Sequence, residues 1–259
     1  MEGARQLEQA GADAITIADC PIGRARMDSS LLACKLSREL GIEALPHMTC
    51  RDRNVNATKA LLLGLLLLFV FSLSQGVGER MTPQGAAAVF WLSSAFCQVL
   101  VFNQLYALEE ASNARLGLLL CPAPVQAVWL GKGCAGLVLL VLAQLVFLPA
   151  AVVFLGQEVS GALLPALAAL VLTDLGMCAL GSLLGALAQG QAARESLLSI
   201  VLFPLLTPLL LAGISVGAQT LGAPAPDGPG LWLGLAAAFD AVFLGAGLLL
   251  FGFIYAGED

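Results

Sequence analysis

Residues 60–254 are an almost continuous series of long apolar runs separated by short polar loops, and nothing else in the chain restricts its fold as strongly. A helix that crosses a bilayer needs about 20 mostly apolar residues. The sequence predicts six, at about 60–76, 85–108, 133–155, 161–187, 197–217 and 231–255, the first being the shortest. Strands of a membrane barrel would be about ten residues long with alternating polarity. The run LVLLVLAQLVFLPAAVVFL (137–155) is longer than that and does not alternate. The expected class is an all-α membrane protein built as a six-transmembrane-helix bundle.

Charge separates the chain into two pieces, residues 1–58 and 59–259. Only 12% of the residues are charged, against about 25% in soluble domains. Residues 1–58 hold 7 Lys+Arg and 8 Asp+Glu, whereas residues 59–259 hold 5 and 10 over more than three times the length. The net charge of −6 and the lack of a basic stripe argue against a nucleic-acid partner, which phosphate binding would require. The seven cysteines include no C-x-x-C pair, so no zinc knuckle or redox motif is supported. No apolar signal core opens the chain at MEGARQLEQAGADA, so insertion is expected to begin at the first hydrophobic run.

Lys and Arg positions set the expected orientation. With the N-terminus inside, the inner loops receive Arg51, Arg53, Lys59, Arg115, Lys132 and Arg194, and the outer loops only Arg80. This predicts a multi-pass protein with both termini inside. The richest inner loop runs from Tyr106 to Lys132. Its charged start (Glu109, Glu110, Arg115) passes into Leu116, Leu118, Leu119 and Leu120 and stops at Pro122 and Pro124. That pattern suits a short amphipathic helix at the membrane surface, either an element that docks a cytoplasmic motor or an interfacial turn.

Three strings carry a resemblance. They are LEE-x4-R-LGLLLCP followed by LGK, then TDLGMCALGSLLGALAQGQAARESLLSIVLFPLLTPLLLAG (173–213), and the ending FDAVFLGAGLLLFGFIYAGED (239–259). Together they resemble the heme exporter B family, the membrane component of the cytochrome c maturation ABC transporter, over about 200 residues. The chain departs from that family's pattern at ASNARLG (111–117). The resemblance implies an ABC-2-type permease in the bacterial inner membrane, as a homodimer or hetero-complex. Its implied partners are a cytoplasmic ABC ATPase, other cytochrome c maturation membrane subunits and a heme chaperone, whose heme-loaded form is released at the expense of ATP. Glu109, Glu110, Arg115, Leu118, Leu119, Leu120, Pro122 and Lys132 would then couple the permease to the ATPase.

This chain itself is expected to be no enzyme. It has no G-x-x-x-x-G-K-[ST] motif, and LGKGC (130–134) lacks the spacing and the following Ser or Thr. ATP therefore belongs on a partner subunit. Heme is a possible cargo, but the membrane part has no histidine. Met81, Met177, Tyr106, Tyr255 and the cysteines remain as axial ligands without a pocket pattern, so no cofactor is expected to be held here. Charges within spans are costly and are functional candidates. Asp174 and Asp240 are the two, both expected near span ends, where water is close. Gln98, Asn103, Gln104 and Gln144 are expected to bond between helices. Pro204 and Pro208 should bend the fifth span, and Gly176, Gly181 and Gly185 should allow close helix approach.

Residues 13–19 (DAITIAD) and 44–50 (ALPHMTC) read as strands. Between them Ser29–Leu40 reads as a helix, capped by Asp28 or Ser29 and ended by Gly41. This βαβ pattern, in IADCPIGRARMDSSLLACKLSRELGIEALPHMTCRDRN, resembles the methylenetetrahydrofolate reductase family. By that resemblance His47, Thr49, Arg51, Asp52, Arg53 and Asn54 would face the flavin and folate end of a barrel. A (β/α)8 barrel needs about 250 residues, so residues 1–58 are expected to be a non-functional fragment. Two alternatives stand beside the permease: a flavin-dependent reductase fragment with a membrane tail, and a generic ABC-2 exporter.

Overall fold

The structure, a computed structural model, describes residues 14–17, 43–46, 51–74, 80–111, 115, 118, 124–189, 194–224 and 228–256. The chain divides into two compact units: Met1–Val55 with Ala107–Pro122, and Asn56–Tyr106 with Ala123–Asp259. In the first, two four-residue strands, β1 (Ala14–Ile17) and β2 (Glu43–Pro46), pair in parallel with Ala14 opposite Glu43 and Ile17 opposite Pro46. β1 lies within the strand expected at 13–19, whereas β2 overlaps the one expected at 44–50 only over residues 44–46, ending at Pro46, which donates no hydrogen bond to a ladder. The helix expected at 29–40 lies outside the described residues.

Among the described residues six helices of full length follow: α1 (Arg51–Leu73), α2 (Pro83–Ala111), α3 (Val125–Phe154), α4 (Leu163–Leu187), α5 (Arg194–Thr220) and α6 (Gly228–Ala256). Among the described residues, α2 to α6 each supply a stretch long and apolar enough to cross a membrane, while α1 supplies the shorter apolar stretch Lys59–Leu73. Large apolar side chains are exposed on the outer faces, including Leu145, Val153, Leu164, Ile200, Leu249 and Phe253. In water such continuous surface would drive association. In lipid it is solvated, and the protein is a membrane protein.

The centre of the second unit is α4, which packs against α3, α5 and α6. Every residue from 176 to 186 is buried. Its glycines let large side chains sit directly on its backbone. A Cβ at Gly181 would meet Gln98 Nε2 and Phe102 Cδ2 at 2.6 Å, and one at Gly185 would meet the Tyr106 ring at 2.6 Å. Gln98, Phe102 and Tyr106 are four residues apart, so they form one ridge of α2 against the glycine face of α4. The close approach expected from Gly176, Gly181 and Gly185 is therefore observed. In the same way Phe147 of α3 fills the space over Gly64 of α1, and Ser72 donates to the Phe154 carbonyl at 2.8 Å.

The third span begins eight residues earlier than hydropathy suggested. Gln126, Gly131, Lys132 and Gly133 lower the apolar content of that stretch, but none breaks a helix. Pro124, extended at φ −63° and ψ 141°, sets the start as N-cap. Lys132 is thus a residue of α3 and not of a loop. Pro204 and Pro208 lie inside α5, which continues through both.

Two helix ends are closed by glycine in the left-handed conformation. Gly156 (φ 62°) follows α3, and Gln157 N donates to the Val152 carbonyl at 3.0 Å. Gly222 (φ 94°) follows α5, and Ala223 N donates to the Ala218 carbonyl at 2.9 Å. Both are six-to-one closures that use carbonyls a helix end leaves unpaired. The turn after α3 also clasps the end of α5, because Ser160 N and Gly161 N both donate to the Thr220 carbonyl, at 3.1 and 2.9 Å.

Candidate functional site

Polar side chains are gathered in the interior of the bundle. Gln144 of α3 donates from Nε2 to Asp174 Oδ1 of α4 at 2.7 Å and to Ser94 Oγ of α2 at 3.3 Å. Ser94 in turn donates to the Phe90 carbonyl at 3.0 Å. One turn further along α2, Gln98 donates to the Met177 carbonyl of α4. The roles expected for Gln98 and Gln144 as bonds between helices are those observed. Ser94 was not anticipated. Its signal in the sequence is its place four residues before Gln98, on the same face of α2.

Asp174 is the twelfth of the 25 residues of α4, and Asp240 the thirteenth of the 29 residues of α6. Both are buried, at 0% and 3% exposure. The expectation that they lie near span ends is corrected: both sit in the middle of their helices. The expectation followed from the cost of a charge in lipid, whereas burial between helices keeps both side chains away from the lipid. Asp240 Oδ1 abuts Gly176, at the place a Cβ would occupy, with Leu209 Cδ2 of α5 at 2.8 Å from the same point. Asp174 Oδ2, Gln144 Oε1, Ser93 Oγ, Thr173 Oγ1 and both Asp240 oxygens have no hydrogen-bond partner.

A second cluster lies toward the α3 N-terminus. Tyr106 donates from its hydroxyl to the Ser182 carbonyl at 2.6 Å and lies 3.0 Å from Ser182 Oγ, which donates to the Trp129 carbonyl at 3.3 Å. The Lys132 ammonium sits 3.8 Å from the Tyr106 ring centroid and 5.4 Å from that of Tyr255. Tyr255 stacks on Phe251 at 5.1 Å, and Phe251 tilts against Trp129 at 6.4 Å. Aromatic faces attract a cation and the Lys132 stem packs along them, so a lysine is accommodated inside a largely apolar helix.

At the opposite end is an apolar cavity of about 270 Å³ between α2, α3, α4 and α5, lined by Phe90, Trp91, Leu148, Ala169, Gly213 and Gly217 among others. Arg80 and Glu158 form an exposed ion pair at that end, 2.8 Å apart.

Of the other residues singled out in the sequence, Glu109 is buried in the last turn of α2, and Glu110 is helical there. Arg115 and Leu118 are helical and half-buried. Leu119, Leu120 and Pro122 lie outside the described residues, as do His47 and Thr49. Arg51, Asp52, Arg53 and Asn54 form the first turn of α1. Among the described residues, no three His, Cys, Asp or Glu side chains gather where they would hold a metal ion. Met177 is fully buried, and the Tyr106 hydroxyl is already engaged by Ser182.

No curated protein matches the chain. Residues 40–252 match the family described as CcmB protein, so the match includes residues 40–58, which the sequence reading assigned to the preceding piece.

Proposed function

The chain belongs to the CcmB protein family, the permease subunit of the heme exporter of cytochrome c-type biogenesis, and we propose that it works there as a six-helix membrane body driven by a separate ATPase chain. It is a transporter subunit and not itself an enzyme. The observation that carries the reading is the family match over residues 40–252, on a chain whose described residues include five apolar helices long enough to span a membrane.

The finer reading rests on the following support. α1 supplies the sixth crossing, its apolar part being the 15 residues Lys59–Leu73. That is about 22 Å of helix, short of the roughly 30 Å hydrocarbon core, so thinning of the bilayer or the polar reach of Lys59 makes up the difference. The Lys and Arg distribution supports an orientation with both termini in the cytoplasm, and the family is the support for the bacterial inner membrane. The segment 106–132 is the docking element for the cytoplasmic ABC ATPase, with Glu109, Glu110, Arg115 and Lys132 as its charged residues. Other cytochrome c maturation membrane subunits and the heme chaperone are the remaining partners. Heme is cargo of the complex and is not ligated by this chain, a reading supported by the lack of histidine in its membrane part together with the burial of Met177 and the engagement of the Tyr106 hydroxyl by Ser182. ATP is bound by the partner alone. The parallel pairing of β1 with β2 supports the strand–helix–strand reading of residues 1–58, because parallel strands need a crossover of a dozen or more residues. That fragment carries no reductase activity.

Complementation tests this. In a strain lacking its own permease, the chain should restore covalent cytochrome c. Failure to do so, with the protein inserted in the membrane, would remove the maturation role. Reversal of charge at Glu109 and Glu110 together should reduce co-purification of the ATPase. Unchanged co-purification would remove the docking role of that segment.

A further inference from the structure

We propose that Asp240 is a proton-binding site at the centre of the bundle, where it stands as the neutral acid against Gly176 of α4. The side chain is 3% exposed, and neither carboxyl oxygen has a hydrogen-bond partner. Its Oδ1 and the methyl groups of Leu209 together occupy the space over Gly176. An ionised carboxylate left unpaired in such a place costs far more than a neutral polar group does. Something must therefore neutralise it.

Among the described residues of this chain the candidates reduce to one. The helices packed against α6 are α3, α4 and α5. On α4 the titratable side chains are Asp174 and Cys178, and neither carries positive charge. Asp174 is two residues from Gly176, about 200° around the helix, and is engaged by Gln144 on the other face. On α3 they are Lys132 and Cys134. Lys132 lies over the rings of Tyr106 and Tyr255, and Tyr255 is fifteen residues along α6 from Asp240, about 22 Å of helix axis. The described side chains of α5, residues 200–224, include no titratable group. Among the described residues of these helices no basic side chain is in reach of Asp240. A hard metal cation would require several oxygen ligands, and no cluster of three acidic or other ligating side chains exists among the described residues. A proton needs only the carboxyl itself.

Thr173 provides independent support. It lies three residues before Gly176 and so on the same face of α4. Its hydroxyl is fully buried and unpartnered. The seam between α4 and α6 thus holds unused hydrogen-bonding capacity on both of its sides, as a site that takes up and releases a proton with a water molecule would. Loss of the proton puts a bare charge into an apolar seam and drives α4 and α6 apart, which makes the site a point where protonation and helix packing are linked.

Infrared spectroscopy of the purified full-length protein in lipid at neutral pH tests the site. The wild-type minus Asp240→Asn difference should contain the carbonyl band of one carboxylic acid. Appearance of the paired carboxylate bands instead would overturn the proposal. Should Asp240→Asn fail to fold, the Asp174→Asn variant gives the same information. It should retain a carboxylic-acid band at neutral pH that fades as the pH is raised, and absence of that band at neutral pH would refute the site. Thermal stability gives a third reading. The wild-type melting temperature should fall on raising the pH, since a folded state that holds an extra proton loses stability as protons become scarce. The same fall in Asp240→Asn would overturn the assignment.

Discussion

Gln144 Nε2 lies 2.7 Å from Asp174 Oδ1 across the contact between α3 and α4, and this bond joins a buried amide to a buried carboxyl. Bonds between membrane helices are worth about 0.6 kcal/mol on average, but leaving a buried polar group without its partner costs about 1–3 kcal/mol. Gln144→Leu should therefore destabilise by about 1–3 kcal/mol, more than the bond alone. The double variant Gln144→Leu/Asp174→Leu should lose less than the two single variants added together. Denaturation in detergent measures all three, and strict additivity would mean the two residues are uncoupled.

The Tyr106 hydroxyl and its ring do separate things. Tyr106→Phe removes the 2.6 Å bond to the Ser182 carbonyl and should cost about 0.5–1.5 kcal/mol. It leaves an aromatic face under Lys132. Tyr106→Leu also removes that face, adding about 0.5–2 kcal/mol, and leaves the space over Gly185 unfilled. The expected order of melting temperature is wild type, then Phe, then Leu. Equal melting of Phe and Leu would mean that the ring's contact with Lys132 contributes nothing.

How much of this was legible follows from the residues themselves. The helices of the bundle were readable because long apolar runs have few alternatives in lipid. Gly181 and Gly185, four apart, announced one flat face of α4, although not that Phe102 and Tyr106 would lie on it. The start of α3 was misplaced because hydropathy penalises Lys132, whereas the helix hides its ammonium over two tyrosine rings contributed by α2 and α6. Asp174 and Asp240 were found but put at the wrong depth. What holds Asp174 is Gln144, thirty residues earlier, and what makes room for Asp240 is Gly176. Both relationships arise between helices, so no local pattern contains them.

The ion pair between Arg80 and Glu158 should be nearly silent. Its side chains are 71% and 76% exposed, and exposed pairs contribute about 0–1 kcal/mol. Arg80→Ala should leave the melting temperature almost unchanged at moderate salt. Cytochrome c maturation in the complementation strain should likewise be retained. A large stability loss would mean that Arg80 anchors the turn after α3 through more than this pair.

The turn after α3 gives a sharper contrast. At Gly161 a Cβ would stand 2.5 Å from the Gln219 carbonyl oxygen and 2.7 Å from Thr220 Cα, both backbone atoms. The same residue donates from its N–H to the Thr220 carbonyl at 2.9 Å. A backbone cannot swing aside as a side chain can, so Gly161→Ala must push the turn off the end of α5, breaking the two bonds to Thr220. Overpacking of this kind costs about 1–3 kcal/mol. Gly131, inside α3, is the control. A Cβ there meets nothing within 4 Å, and replacing a helical glycine with alanine gains about 0.5–1 kcal/mol. Gly131→Ala should raise the melting temperature slightly while Gly161→Ala lowers it, and hydrogen exchange at Ser160 N–H and Gly161 N–H should accelerate only in the latter. If both variants melt alike, the clasp between the turn and α5 is not what holds that end of the bundle closed.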